Sequence, residues 1–149
     1  MLRDDIKAET ITAMKAKDKE RTAALRLISA KIKDRDIEMR GKEAGDDDAM
    51  VIDVLQKMAK QRRESITMYE DGGRTELAEQ EKAELAVIEE FLPRQMDEAE
   101  TKAAIEQIKA ETGADGMKDM GKVMGELKSR HGTQLDMGRA SGWVKELLS

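Results

Sequence analysis

Two ten-residue stretches, Asp119-Met-Gly-Lys-Val-Met-Gly-Glu-Leu-Lys128 and Asp136-Met-Gly-Arg-Ala-Ser-Gly-Trp-Val-Lys145, repeat one pattern of acid, Met, Gly, cation, Gly, aliphatic and Lys. Residues of these types at this spacing suit phosphate binding. A glycine inside a helix costs roughly 1 kcal/mol relative to alanine, and the pattern spends that twice in each of two short helices. Projected at helical periodicity, Lys118, Gly121, Lys122 and Gly125 turn away from the Met120/Val123/Leu127 stripe, and Gly138, Arg139 and Gly142 lie the same way on the second copy. Bare backbone between cations lets a sugar-phosphate strand approach while Lys122, Arg139, Lys128 and Lys145 contact phosphates; such contacts position a nucleic acid without reading its sequence. A competing explanation is that the glycines let two helices pack closely, with the lysines as a solvated rim. Trp143, one turn after Arg139, suits either stacking on an unpaired base or packing against a neighbouring domain, and packing is preferred.

A second group of charges lies earlier in the chain. Lys57, Lys60, Arg62 and Arg63 resemble a phosphate patch, but helical projection divides them. Lys57 and Lys60 point outward, whereas Arg62 falls within the Leu55/Met58/Ile66 face. Glu81 and Glu84 fall on the Leu77/Ile88 face of the following helix, so an inter-helix ion pair between Arg62 and Glu81 or Glu84 is expected. As an acid/base pair these carboxylates lack a nucleophile motif, a phosphate loop and a third converging group. His131, the single histidine, stands in the last turn before Gly132, where a donor suits a helix C-terminus. With one histidine and no cysteine there is no recognisable zinc site, and Asp46-Asp47-Asp48 lacks calcium-loop spacing. No cofactor, metal or catalytic residue is expected.

The elements that must position these residues are helical. Across 149 residues, 40% are charged and 2% aromatic, so Leu, Ile, Val, Ala and 11 Met must fill any core. Most of these are strong helix formers, and the one proline, Pro93, leaves long stretches unbroken. Zero cysteines exclude a disulfide framework. The first turns contain no apolar run long enough for a signal peptide or membrane span. A soluble, cytoplasmic protein with no membrane partner is the expectation. The net charge of -5 argues against a generic nucleic-acid binder, yet the charge is polarised. Gly116 to Ser149 holds six cations and four acids, whereas Glu70 to Glu100 holds eleven acids and three cations.

Periodicity predicts helices over about 4–16, 20–40, 49–69 and 75–91. The second carries two apolar stripes, Leu25/Ile28/Ile32/Met39 and Ala23/Leu27/Ala30, as a central helix would. Gly41 to Asp48 reads as a loop whose aspartates suit the start of the third helix. That third helix puts Val51, Val54, Leu55, Met58, Ile66 and Tyr69 on one face and ends at Gly72-Gly73. The fourth is expected to bury Leu77, Leu85, Ile88, Phe91 and Leu92 before Pro93. Asp97 and Glu100 then have the form of a capping box, opening a unit of three short helices. The expectation is an all-α chain with an N-terminal four-helix bundle over 1–93 and a small C-terminal three-helix domain over 97–149.

Leu25-Arg-Leu-Ile28, Lys57-Met-Ala-Lys-Gln-Arg-Arg-Glu-Ser65, Tyr69 with Gly73-Arg74, Glu76-Leu-Ala78, Glu84-Leu85 and Phe91-Leu-Pro93-Arg-Gln95 occur in an order and spacing that resemble the GatB/YqeY family, specifically its stand-alone YqeY-like members. The resemblance covers nearly the whole chain. It implies an all-helical fold whose C-terminal domain is similar to the tail of the B subunit of tRNA-dependent amidotransferases, and to an appendage on some glutaminyl-tRNA synthetases, where it contacts the outer corner of tRNA. It therefore implies tRNA, or a tRNA-handling enzyme, as partner. The kinase-like catalytic body of the amidotransferase has no counterpart here, so carbon-nitrogen ligase activity attaches to the family name only. A non-catalytic tRNA-binding or accessory protein is the leading expectation. The alternative is a protein-protein adaptor docking through the acidic fourth helix and Met-rich faces, and ligase chemistry ranks third.

Overall fold

Aspartates start most of the helices. Asp18 accepts a hydrogen bond from Arg21 N at 3.1 Å, Asp46 from Asp48 N at 3.0 Å, Asp97 from Glu100 N at 2.8 Å and Asp136 from Gly138 N at 2.9 Å. Each satisfies a backbone donor that the first helical turn leaves open. The computed structural model describes residues 1–42 and 45–149; Glu43 and Ala44, part of the expected 41–48 loop, lie outside the described residues. The helices are α1 (Leu2–Lys15), α2 (Lys19–Glu38), α3 (Asp47–Asp71), α4 (Thr75–Glu90), α5 (Glu98–Thr112), α6 (Met120–His131) and α7 (Met137–Leu148), with a single 3₁₀ turn at Met117–Asp119. The chain is all-α, with no strand among the described residues. It divides into two compact units, Met1–Leu92 and Pro93–Ser149.

In the first unit one core joins Ile6 and Ala13 of α1, Leu25, Ile28 and Ile32 of α2, Val51, Val54, Leu55, Met58 and Ala59 of α3, and Ile88 of α4. A clasp of charges ties three helices together at one end. The Arg3 guanidinium donates to Asp36 at 2.7 and 2.8 Å and to Asp47 at 2.9 and 3.2 Å, while Leu2 N donates to Asp48 at 3.0 Å. The Asp36 carboxyl is held below the usual carboxylate range by its hydrogen bonds from Arg3. Gly72 ends α3, and Gly73 follows in the left-handed region at φ +72, which glycine adopts without penalty.

Two expected burial patterns are corrected. The second stripe of α2, Ala23/Leu27/Ala30, faces solvent, with Leu27 42% exposed, and Met39 of the first stripe is 38% exposed. Among the described residues no element packs over Leu27 and Ala30, so α2 forms one side of the unit and not its centre. Leu77 is 37% exposed. At a rise of about 1.5 Å per residue, α3 with its 25 residues outreaches α1 with 14 and α2 with 20. Its distal half runs beside α4 alone for part of its length, pairing Arg62 with Glu81 and Glu84 and Arg63 with Glu89, and the buried core, which takes Ile88 from α4, does not reach Leu77.

The second unit gathers Ile105 and Ile108 of α5, Ala114, Val123 and Leu127 of α6, Leu135, and Ala140, Val144 and Leu148 of α7 around its own core. The expected capping box is half formed. Asp97 caps α5, but the Glu100 carboxylate turns to Arg94, accepting at 2.7 and 3.0 Å. A bidentate guanidinium is a stronger partner than one backbone N–H.

Candidate nucleic-acid interface

The repeat is positioned by burial of its apolar stripes. Val123 and Leu127 of α6 and Ala140, Val144 and Leu148 of α7 are buried, with Met120, Met124 and Met137 packed against them. The opposite faces are consequently turned out. Lys118, Gly121, Lys122, Gly125 and Lys128 on the 3₁₀ turn and α6, and Gly138, Arg139, Gly142 and Lys145 on α7, are all exposed.

The glycines separate by what surrounds them. A Cβ added at Gly121, Gly125 or Gly142 meets no heavy atom within 4 Å. Close helix packing therefore does not explain these three within this chain, and their helical cost of roughly 1 kcal/mol each has no internal return. Gly132 is different, since a Cβ there would lie 2.5 Å from the Lys128 carbonyl oxygen.

The cations separate as well. Arg130 is held by Glu111 at 2.7 Å and Glu126 at 3.3 Å, Lys102 by Glu98 at 3.0 Å and Glu146 at 3.8 Å, and Lys109 donates to the Leu147 carbonyl at 3.2 Å. Arg130 in turn lowers the Glu111 carboxyl through its hydrogen bond. Among the described residues Lys118, Lys128 and Lys145 enter no ion pair within 4 Å. Lys122 reaches only the Thr112 carbonyl, at 3.5 Å. Arg139 lies with its guanidinium carbon 5.1 Å from the centroid of the Trp143 ring, within cation–π range. Trp143 itself packs on the core of its own unit. The uncommitted positive charge of this unit thus falls on the two glycine-bearing faces.

The acids that open the two copies do different work. Asp136 caps α7, whereas Asp119 caps nothing and accepts from Asp115 N at 2.9 Å. The 3₁₀ turn ahead of α6 occupies the place where a cap would act. His131 ends α6, with Nδ1 3.4 Å from Gln134 Oε1.

In the first unit the cation run is not a phosphate patch. Lys57 pairs with Asp53 at 3.1 Å and Arg63 with Glu89 at 3.7 Å, leaving Lys60 outward and exposed. Arg62 Nε lies 3.0 Å from Glu84 and 3.4 Å from Glu81, with the three side chains 19%, 20% and 18% exposed. Two carboxylates share one guanidinium, and Arg62 Nε and Glu81 Oε2 are buried without a hydrogen bond. Burial pushes the Glu84 carboxyl up, Arg62 pulls it partly back, and Glu81 adds to the rise. Among the described residues no group of three or more His, Cys, Asp or Glu is arranged to hold a metal. Among the described residues no helix is long and apolar enough to cross a membrane.

Comparison with known proteins covers most of the chain. Residues 3–148 match the family model described as Yqey-like protein. The Eremothecium gossypii protein named altered inheritance of mitochondria protein 41, mitochondrial, is 31% identical over 127 residues, which are 85% of this chain and 61% of the relative. The Saccharomyces cerevisiae protein of the same name is 26% identical over 128 residues, 82% of this chain and 68% of the relative. The chain thus spans less than two thirds of the first relative's length. These names overturn the cytoplasmic expectation, because the relatives are mitochondrial proteins. The absence of cysteine and of a long apolar run bears on the secretory pathway and on membranes, and does not separate the cytosol from an organelle interior.

Proposed function

This chain belongs to the YqeY-like protein family, and we propose that it is a non-catalytic protein that binds tRNA, alone or on behalf of a tRNA-handling enzyme, through the outer faces of α6 and α7. The observation that carries this reading is the coincidence of unfilled glycines with unpaired cations. Gly121, Gly125 and Gly142 have open space where a side chain would stand, and Lys118, Lys122, Lys128, Arg139 and Lys145 flank them with no ion pair among the described residues. Backbone stripped of side chains admits a ribose-phosphate strand to short range, and the cations displace its counterions. The resemblance of the C-terminal unit to an amidotransferase tail supports tRNA as the nucleic acid. The Arg139–Trp143 pair supplies a flat, cationic edge beside the strand.

The test is binding of bulk tRNA at low and moderate salt by the protein and by a folded Lys122→Glu, Arg139→Glu variant. About four phosphate contacts give a log-log salt slope near -3. Salt-sensitive binding that the variant loses is the expected result. No binding even at low salt overturns the reading and leaves the protein-protein adaptor as the better account.

A further inference from the structure

A groove of about 880 Å³ runs between the first turns of α2 and the outer face of α4. Its floor is small and apolar, formed by Ala23, Ala24, Ala83 and Val87, and its walls carry Asp18, Glu20, Glu76, Glu79 and Glu84 against Lys19 and Arg21. The balance stays negative once partners are counted, since Lys82 pairs with Glu79 at 3.2 Å but no lining cation remains for Glu20 or Glu76 except Lys19. The Arg21 guanidinium is already engaged by Glu90 at 2.6 Å and Glu9 at 3.0 Å. Glu84 competes with Glu81 for the single guanidinium of Arg62, so this partly buried cluster keeps one formal negative charge beside the groove. From Ala23 the exposed stripe of α2 continues to Leu27 and Ala30 and extends the apolar floor along one wall.

We propose that this groove is a docking site for a cationic amphipathic helix of a partner protein. The charge complementarity selects the occupant. A helix laid in the groove places its apolar ridge on the alanines and on Leu27, where small side chains let the two backbones approach, and its Lys or Arg side chains meet Glu20, Glu76 and Glu84. This is recognition of a helix by a groove, with the acidic rim setting orientation and association rate. An RNA strand is repelled by the same lining, so the site is separate in chemistry from the faces of α6 and α7.

The probe is a short fluorescent peptide with Leu and Ala on one helical face and Arg and Lys on the other, titrated into the full chain at low salt and read by anisotropy and by backbone amide NMR shifts. Binding is expected, with shifts concentrated at residues 18–24 and 76–87. Glu20→Lys with Glu76→Lys is expected to weaken it about tenfold or more, a loss of about 1.4 kcal/mol or more. Ala83→Trp, or Ala23→Trp should the first not fold, is expected to block it by filling the floor. Glu64→Lys with Glu106→Lys, an equal charge change at exposed positions outside the groove, is expected to leave it unchanged. Failure of the peptide to bind, equal weakening by the Glu64/Glu106 pair, or undiminished binding when the floor is filled would each overturn the proposal.

Discussion

Replacing Arg62 with Met removes the counter-charge from Glu81 and Glu84 while retaining much of the aliphatic stem. Deleting one partner of a fully buried ion pair costs about 3–5 kcal/mol. Here the three side chains are 18–20% exposed, so water recovers part of that loss. We therefore expect the Arg62→Met variant to lose about 2–4 kcal/mol at neutral pH. The loss should depend on pH in a defined direction. The Glu84 carboxyl is already raised by burial, and Arg62 is what restrains it. Without Arg62 its folded-state value moves further above the unfolded one. A group raised in this way is most compatible with folding below its unfolded pKa of about 4.3, and its contribution is lost as pH rises through the folded value. The deficit of the variant is thus largest at pH 7 and shrinks toward pH 4. Urea unfolding followed by helical circular dichroism at both pH values measures this, with Trp143 fluorescence as a separate report on the second unit. Glu81→Gln with Glu84→Gln added to Arg62→Met should recover most of the loss at neutral pH. A variant within about 0.5 kcal/mol of wild type at pH 7, the range of ordinary surface substitutions, or one with the same deficit at both pH values, would refute the reasoning.

The glycines give a prediction in which stability and binding move in opposite directions. Gly121→Ala, Gly125→Ala and Gly142→Ala should each stabilise the second unit by about 0.5–1 kcal/mol, because helical propensity improves and the new methyl meets open space, while each weakens tRNA binding. Melting followed by Trp143 fluorescence checks the first half, and a fall in melting temperature would show that the space is not open. Gly132→Ala should instead destabilise the same unit by about 1 kcal/mol or more, since its methyl would meet the Lys128 carbonyl oxygen at 2.5 Å. Asp136→Ala should cost about 1 kcal/mol through loss of the α7 cap, and Asp119→Ala clearly less, because Asp119 caps no helix.

Much of the fold was legible because helices announce themselves locally. The α4 helix ends where Pro93 approaches, Gly73 takes the left-handed φ that a helix end permits, and Asp97 and Asp136 sit where donors need an acceptor. The outward position of Lys118, Lys122 and Arg139 was legible for the same reason, since a helix with one apolar stripe has only one face to hide. Periodicity failed where burial depends on what stands opposite. Ala23, Leu27 and Ala30 form as regular a stripe as Leu25, Ile28 and Ile32, but the first is exposed and the second is buried in the core. Leu77 lies on the correct face of α4 but beyond the reach of the bundle core. Glu100 satisfies the spacing of a capping box, and Arg94 six residues earlier takes it away.

Element type, caps, the all-α class and the pairing faces of Arg62, Glu81 and Glu84 were readable from local sequence, because they follow from backbone sterics, local hydrogen bonding and a 3.6-residue period. Which cations remain available depends on how the helices pack. Arg130 and Lys128 stand two residues apart on α6, yet Glu111 on α5 neutralises the first at 2.7 Å while the second is left in solvent. Packing likewise leaves Gly121, Gly125 and Gly142 bordering open space and an acidic, alanine-floored groove between α2 and α4. The physical reason is that charge compensation and free volume belong to pairs of elements. A helix fixes where its own side chains point, and the partner that arrives from elsewhere in the chain fixes what they meet.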